Sequence, residues 1–221
     1  MSRIAAVIPA FNAAGTIAAV IGGVSVYLPA EQILIVDDGS TDKTSHEAVS
    51  AGARVLRHTR NRGKGAALRT GLDFALQASF DAVITLDADL QHPPESIPQF
   101  IDLYEREKIN IIIGSRLHDV QGMPFHRILS NAITTFLVNA RTSSRIADSQ
   151  SGYRLLDRPV LEAVRTVSDG FEAETEFLIR AALHGFTFGA VPIRTVYAGE
   201  RSHMTHLATT VNFIKVLFRD Y

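Results

Sequence analysis

The first half of the chain alternates short apolar runs with stretches of helical spacing, and this alternation constrains the fold more than any other feature. Five runs rich in Val, Ile and Leu have the composition of strands: Ile4–Ile8, Gln32–Val36, Arg54–Arg57, Ala82–Leu86 and Asn110–Ile113. Most are apolar throughout rather than at every second position, so both faces of these strands should be covered. Helical spacing fills the intervals at about Ala14–Leu28, Thr41–Ala51, Gly65–Ala78 and Pro94–Lys108. This β-α-β-α order predicts an open, mostly parallel α/β sheet flanked by helices.

The second half of the chain has a different pattern. We expect a helix at about Phe125–Ala140, an irregular piece at Ala147–Arg158, a helix at Phe171–Leu183, strands at Thr187–Val191 and Ile193–Tyr197, and an amphipathic helix at His206–Phe218. The 221 residues contain no Pro/Gly/Ser-rich linker and no internal repeat. We therefore predict one domain, with 1–115 and 116–204 as its halves and 205–221 as a terminal helix.

The charge balance and the apolar N-terminus narrow the class of protein. With 22 basic and 23 acidic side chains, the chain lacks the positive field of nucleic-acid-binding proteins. The absence of cysteine excludes disulfides and thiolate metal sites. Residues 4–30 are uncharged, but Pro9, Gly22 and Pro29 interrupt them, which is atypical of a signal peptide or a membrane span. We expect a cytoplasmic protein whose terminal helix either docks on its own domain or contacts the cytoplasmic face of a membrane.

Two carboxylates follow the second predicted strand. Val36 leads into Asp37 and Asp38, and the next residues are Gly39 and Ser40. The glycine permits a positive φ and the serine is suited to cap the next helix. Because open parallel sheets bind ligands at the carboxyl ends of their strands, Asp38 is a candidate acceptor of hydrogen bonds from a base or a ribose hydroxyl.

The fourth predicted strand runs into a second polar segment. On an extended backbone, residues two apart project to one side, so Asp87, Asp89 and Gln91 can converge if the chain stays extended. Pro93 and Pro94 favour an extended conformation in the residues before them. Oxygen ligands of this kind suit a hard divalent cation. The segment therefore predicts a site for Mg²⁺ or Mn²⁺.

Arginines supply candidate partners for phosphate. Arg116, Arg154 and Arg201 each lie near a glycine in a predicted loop, and guanidinium groups bind phosphate oxygens in a bidentate manner. The segment Asn61–Gly65 is not a P-loop, because a glycine follows Lys64 where Ser or Thr is required.

Six motifs in this order resemble the family 2 inverting glycosyltransferases, over roughly residues 4–204. The motifs are Ile8-Pro9-Ala10-Phe11-Asn12, Val36-Asp37-Asp38-Gly39-Ser40-Thr41-Asp42, Asn61-Arg62-Gly63-Lys64-Gly65, Asp87-Ala88-Asp89-Leu90-Gln91-His92-Pro93-Pro94, Gly114-Ser115-Arg116 and Ser151-Gly152-Tyr153-Arg154. The likeness is greatest to the branch that transfers mannose or glucose to dolichyl or polyprenyl phosphate. It implies a GT-A fold, in which a nucleotide-binding N-terminal half is fused to an acceptor-side C-terminal half.

The resemblance also implies ligands and residue roles. The donor is expected to be a UDP- or GDP-linked hexose, held with Mg²⁺ or Mn²⁺, and the acceptor a polyprenyl phosphate at a membrane surface. The implied roles are nucleotide binding for Pro9, Phe11 and Asp38, donor ribose or sugar contact for Asp87, metal binding for Asp89 and Gln91, phosphate handling for Arg116, Arg127 and Ser130, and an acidic acceptor-site role for Glu172 or Glu176. Arg201 is a candidate phosphate partner from its position beside a glycine alone, because many lipid-phosphate relatives carry Gly-x-Ser-Lys where this chain has Gly199-Glu200-Arg201-Ser202. We class Asp87, Asp89, Arg116 and Glu176 as the candidate catalytic residues. The family usually has Glu at the position of Ala13, so one donor contact is missing or rerouted.

The chemistry of the acceptor leaves alternatives open. A phosphate acceptor is already an anionic nucleophile, and no general base is needed. A glycan hydroxyl needs one, which would have to be Glu172, Glu174, Glu176 or Asp148. A non-catalytic nucleotide-sugar-binding homologue and a phosphate sensor with a Mg²⁺-binding acidic loop are the non-enzymatic alternatives.

Overall fold

The computed structural model describes residues 2–116, 125–194 and 206–221, with only the main chain described for 125–127 and 206–209. The first half contains four strands and three helices in strict alternation. They are β1 (Ile4–Ala10), α1 (Ile17–Ser25), β2 (Ile33–Asp37), α2 (Thr44–Ser50), β3 (Arg54–Arg57), α3 (Lys64–Gln77) and β4 (Ala82–Thr85). The predicted order of elements is confirmed here.

The second half begins with α4 (Ile97–Glu107) and β5 (Ile111–Ser115). It continues with α5 (Phe125–Thr142), β6 (Arg154–Asp157), α6 (Arg158–Ala163), α7 (Glu172–Leu183), β7 (Phe188–Pro192) and α8 (His206–Leu217). Of the strand expected at Ile193–Tyr197, residues 193 and 194 are not strand, and the remainder lies outside the described residues.

One seven-stranded sheet, in the order β3-β2-β1-β4-β6-β5-β7, contains strands from both halves. All neighbours are parallel except β6, which runs antiparallel between β4 and β5. The prediction of an irregular segment at Ala147–Arg158 is therefore wrong for Arg154–Asp157, which form β6. Leu155 and Leu156 are the only apolar residues of β6, which is too few for a recognisable pattern, and the two flanking strands supply its hydrogen-bond partners.

Apolar side chains cover both faces of the sheet, as the continuous strand composition predicts. On one face, Ile8, Ile35 and Ile84 pack under α1 and α4. On the other face, Val7 and Val36 pack under α3, which comes so close that a Cβ on Gly71 would lie 2.4 Å from Val7. The fully covered parallel strands align their carboxyl ends, so the loops after β1, β2 and β4 meet at one edge.

Candidate active site

Three charged side chains form a network of ion pairs at the edge of the sheet where β4 ends. The Lys64 ammonium lies 2.6 Å from Oδ1 of Asp87 and 2.8 Å from Oε2 of Glu174. Asp87 follows β4, Lys64 begins α3 and Glu174 lies in the first turn of α7. A Cβ on Gly152 would lie 2.6 Å from Oε1 of Glu174 and 3.2 Å from the Lys64 ammonium, so a larger residue in the Ser-Gly-Tyr-Arg loop would displace these two side chains. Elements from both halves of the protein thus meet at Lys64.

The ion pairs fix the charge of Asp87. Burial by itself raises the pKa of Asp87, but the Lys64 ammonium, with smaller contributions from His92 and Arg116, outweighs burial and lowers the pKa to about 2. Burial lowers the pKa of Lys64, and its two carboxylate partners reverse this effect and raise the pKa above its ordinary value. Both groups are therefore charged throughout the neutral range.

His92 contacts both the backbone and the side chain of Asp87. The backbone N–H of Asp87 donates to Nδ1 of His92 at 3.0 Å, which places the proton of a neutral imidazole on Nε2, 4.0 Å from Oδ2 of Asp87. The imidazole stacks on Tyr153 with ring centroids 5.2 Å apart. Burial lowers the pKa of His92, so the ring is neutral at pH 7.

The backbone between Asp87 and Gln91 forms a turn. The prediction that this segment is extended is therefore wrong. Leu90 has a φ of +64°, and Oδ1 of Asp89 accepts a hydrogen bond from the N–H of Gln91 at 3.0 Å. Asp commonly turns the chain in this way. The proline rule restricts only His92 and Pro93, which precede prolines, and it does not reach Leu90.

Asp89 and Gln91 can hold a divalent metal. Among the residues that the structure describes, Asp89 has no ion pair, and no group of three or more His, Cys, Asp or Glu side chains could hold a metal ion. One carboxylate and one carboxamide oxygen are a sparse set. They fit Mg²⁺ or Mn²⁺, which typically takes one or two protein carboxylates and completes its shell with phosphate and water.

Asp38 is buried and organises the loop before α3. Its carboxylate accepts hydrogen bonds from the N–H of Arg62 at 2.9 Å and of Gly63 at 2.7 Å, and it lies 2.6 Å from Nδ1 of His58. Only 3% of Asp38 is exposed. The proposed contact to a nucleotide stays a prediction, and the visible role of Asp38 is to shape the segment that carries Lys64.

The first motif lies beside this loop. Pro9 is buried in β1, whereas Phe11 is 48% exposed at the strand end, and the nucleotide contacts expected of both stay predictions. The N–H of Ala13 donates to Oγ1 of Thr44 at 2.7 Å, so α2 holds the backbone at the position where the family usually has Glu.

The expected phosphate-handling residues are only partly brought together. Arg116 is oriented by the buried Asp148, with Nε 3.1 Å from Oδ2, and it is near enough to contribute to the pKa of Asp87. Ser130 is exposed on α5. The side chain of Arg127 and the whole of Arg201 lie outside the described residues. Arg154 is buried, and its guanidinium donates to the carbonyls of Ser149, Ser151 and Glu174, so it supports the loop instead of facing a phosphate.

Glu176 is not brought to Asp87. It is fully buried, and its carboxylate binds Arg180, Arg219 and the N–H groups of Val167 and Ser168. The acidic residue that reaches the site is Glu174, two positions earlier. Lys64, His92 and Glu174 are the site residues that sequence reasoning missed or left among alternatives. The signal for Lys64 was a lysine between two glycines at the start of a helix.

The fold is that of the GT-A glycosyltransferases. The structure superposes on the crystal structure of glucosyl-3-phosphoglycerate synthase from Mycobacterium tuberculosis with a TM-score of 0.76 at 22% identity, covering 98% of this chain and 79% of that chain. Residues 5–165 match the family model "Glycosyl transferase family 2". The chain belongs to this family, and the predicted fold and enzyme class are confirmed.

Two relatives carry names from the branch that the motifs resemble. The polyprenol monophosphomannose synthase of Mycolicibacterium smegmatis is 30% identical over 207 residues, which cover 86% of this chain and 76% of the relative. The UDP-N-acetylglucosamine–dolichyl-phosphate N-acetylglucosaminyltransferase of Methanococcus voltae is 28% identical over 213 residues, covering 86% and 84%. The resemblance to the polyprenyl-phosphate branch is therefore confirmed.

Proposed function

We propose that this glycosyltransferase moves a hexose from a UDP- or GDP-linked donor to a polyprenyl phosphate at a membrane surface. The observation that carries the proposal is the state of the candidate bases. Glu174 is paired with Lys64, Asp148 with Arg116, and Glu176 with two arginines. A carboxylate held by a cation is a weak base, so three of the four candidates are poorly suited to activate a hydroxyl. An acceptor phosphate needs no base.

The fourth candidate, Glu172, distinguishes the two acceptors. It begins α7 and lies 3.5 Å from the amide of Asn212, with no cation partner among the residues that the structure describes. Transfer to a glycan hydroxyl would have to use it. We expect Glu172→Gln to leave the rate within about twofold of wild type, because a phosphate acceptor needs no general base. If Glu172 were the general base for a hydroxyl acceptor, the substitution should lower the rate by about 10²–10⁴-fold.

The donor end of the site is suited to a diphosphate leaving group. Asp89 and Gln91 would hold Mg²⁺ or Mn²⁺, and the ion would neutralise negative charge on the departing nucleoside diphosphate. Asp87 stays ionised beside Lys64, in reach of a donor hydroxyl as the family resemblance implies. Phe11 offers its exposed ring to the base. In the synthase with the similar fold, crystals contain Mn²⁺ and UDP.

We assign Arg116 and an apolar surface to the binding of the acceptor. Asp148 accepts hydrogen bonds from Nε and Nη2 of Arg116 and so orients the guanidinium, and the acceptor phosphate would bind at the Nη1–Nη2 end of the group. Arg127, Ser130 and Arg201 remain predicted partners of the same group. The names of the two relatives support a lipid-linked phosphate as the acceptor.

Two helices present the apolar surface. On α5 the exposed side chains are Leu129, Ile133, Phe136 and Leu137, and on the adjoining α8 segment they are Val211, Ile214 and Phe218. Neither helix contains an acidic residue, and each has a basic residue in its last turn, Arg141 and Lys215. Apolar side chains flanked by cations fit the surface of an anionic bilayer. No described helix is both long and apolar enough to cross a membrane.

The proposal is tested with membranes and labelled nucleotide sugars. Incubation with UDP- and GDP-hexoses and Mn²⁺ should move label into organic solvent as an acid-labile sugar phosphate. Arg116→Ala should lower this transfer by at least about tenfold while nucleotide binding is retained, since its phosphate belongs to the acceptor. Label confined to water-soluble glycan, together with a normal rate for Arg116→Ala, would contradict the proposal.

A further inference from the structure

Glu176 ties the C-terminal segment to the interior of the protein. Its buried carboxylate accepts from Nε of Arg180 at 2.7 Å, within α7, and lies 3.3 Å from Nη1 of Arg219, which follows α8. Burial by itself raises the pKa of Glu176, but hydrogen bonds from Ser168, Val167 and Arg180 outweigh it and lower the pKa. The carboxylate is therefore ionised, and it depends on partners from separate parts of the chain.

The same carboxylate fixes the loop 167–170. Oε1 accepts from the N–H of Val167 at 3.0 Å and Oε2 from the N–H of Ser168 at 2.9 Å. Arg69 of α3 binds the carbonyl of Ser168 and the carboxylate of Asp169. The loop is thus held by Glu176 on one side and by α3 on the other.

The loop in turn holds the first residues of α3. The carbonyl of Asp169 accepts from the N–H of Gly65 at 2.7 Å and of Ala66 at 3.3 Å. A Cβ on Gly63 would lie 2.3 Å from that carbonyl oxygen, and one on Gly65 would lie 2.7 Å from the carbonyl oxygen of Ser168. Lys64 stands between these two glycines, so the position of the loop sets the position of its backbone.

The position of Arg219 depends on how α8 is seated. Val216 and Leu217 are buried in the core below α8, whereas Phe218 is 74% exposed. Arg180 also packs on the ring of Tyr221, with its guanidinium carbon 4.8 Å from the ring centroid. Contacts from α8 therefore reach Lys64 in three steps, through Arg219, Glu176 and the loop 167–170.

We propose that Glu176 is a positioning residue that couples the seating of the C-terminal segment to Lys64. Its importance for the donor rests on the proposed function, whereas the coupling itself does not. When the Arg219 pair is lost, the loop relaxes and the start of α3 loses the acceptor for its first N–H groups. Seating of α8 against a surface then changes the site that holds Asp87.

Amide hydrogen exchange tests the coupling without donor or acceptor. In Arg219→Ala, exchange at Gly65, Ala66 and residues 167–170 should accelerate by about tenfold or more, while amides of α1 keep their rates. Arg219→Lys should restore most of the protection, because it keeps the charge. Lys215→Ala is the matched control, an exposed cation on the same helix, and it should leave the start of α3 unchanged.

Two results of the exchange experiment would contradict the proposal. Unchanged exchange at the start of α3 in Arg219→Ala, or acceleration spread evenly over all amides, would overturn the coupling. If Arg219→Ala does not fold, Glu176→Gln, which keeps the shape and removes the charge, must show the same local acceleration. Binding of UDP or GDP with Mn²⁺ should then weaken in the variant with the local change. Failure of the wild type to bind either nucleotide would count against the proposed function and would leave the exchange result standing.

Discussion

At the scale of single residues, charge pairing decides what each carboxylate of the site can do. Asp87 and Glu174 share the Lys64 ammonium, Asp148 is committed to Arg116, and Asp89 has no ion pair in the described parts of the chain. The paired carboxylates are held as anions and orient their cations. Asp89 stays the predicted metal ligand. The division of roles follows from partners that lie far away in the sequence.

The Lys64–Asp87 pair predicts a pH dependence of stability. The pKa of Asp87 is lowered from 3.8 to about 2, so its stabilisation is complete above about pH 4 and is lost as the pH falls towards 2. We expect it to contribute about 2 kcal/mol to the free energy of unfolding. Urea unfolding of wild type and Asp87→Asn at pH 5, 4, 3 and 2.5 should show a difference that shrinks with acidity. A difference independent of pH would show that the pair is not formed.

Asp89→Asn tests the metal assignment. Loss of one carboxylate from a sparse ligand set should abolish the additional thermal stabilisation that Mn²⁺ gives in the presence of UDP or GDP. Without nucleotide, the unfolding temperature should match wild type. Asp102→Asn, an exposed carboxylate on α4, serves as the control. If Asp89→Asn retains the full Mn²⁺ effect, another residue holds the ion.

At the scale of elements, the close approach of α3 to its neighbours determines where Lys64 lies. A Cβ on Gly65 would lie 2.4 Å from the Cβ of Ala173 on α7. Glycine is unfavourable in a helix by propensity, yet the site depends on Gly65 because a side chain there would overlap with α7.

Two glycine substitutions separate the effect of helix propensity on stability from the effect of packing between helices. Gly22→Ala lies within α1 with nothing inside 4 Å of the new Cβ, and it should stabilise the protein by about 0.5–1 kcal/mol. Gly65→Ala creates an overlap with α7 and should destabilise by about 1–3 kcal/mol. Chemical denaturation measures both. Equal effects at the two positions would mean that α3 and α7 are not in close contact.

The sequence predicts the parallel half of the sheet well and the region around β6 poorly. Long apolar runs such as Ile33–Asp37 identify buried strands by composition alone. Arg154–Asp157 contains two apolar residues between charged ones, so only the pairing with β4 and β5 makes it a strand. The turn at Leu90 escapes prediction for a similar reason, because the hydrogen bond between Asp89 and Gln91 competes with the extended backbone that the sequence spacing suggests.

The candidate site was predictable where it follows strands and unpredictable where it depends on distant pairing. Asp38 directly follows β2, and Asp87 and Asp89 lie in the loop after β4, where the carboxyl-end rule for parallel sheets locates them. The choice between Glu174 and Glu176 depends on which side of α7 faces Lys64. Glu174 and Glu176 stand two positions apart in a helix that also contains many apolar residues, and this pattern does not reveal which of the two faces Lys64.

At the scale of the whole molecule, the exposed side chains of α5 and α8 should decide binding to a bilayer. Phe136→Asp and Phe218→Asp place a negative charge on this surface, and each should reduce sedimentation with phosphatidylglycerol vesicles several-fold. Val49→Asp is the control, because Val49 is 61% exposed on α2. Equal binding by the three variants and the wild type would show that this surface does not bind the bilayer.

The proposed acceptor is a phosphate, and for such an acceptor no residue of the protein has to act as a general base. Vesicles with a polyprenyl phosphate, or with the polyprenol of the same chain length, offer the two nucleophiles on otherwise identical lipids. With labelled UDP- and GDP-hexoses and Mn²⁺, we predict glycosylated lipid from the phosphate and none from the alcohol, with Glu172→Gln as active as wild type. Product from the polyprenol, abolished by Glu172→Gln, would contradict the account.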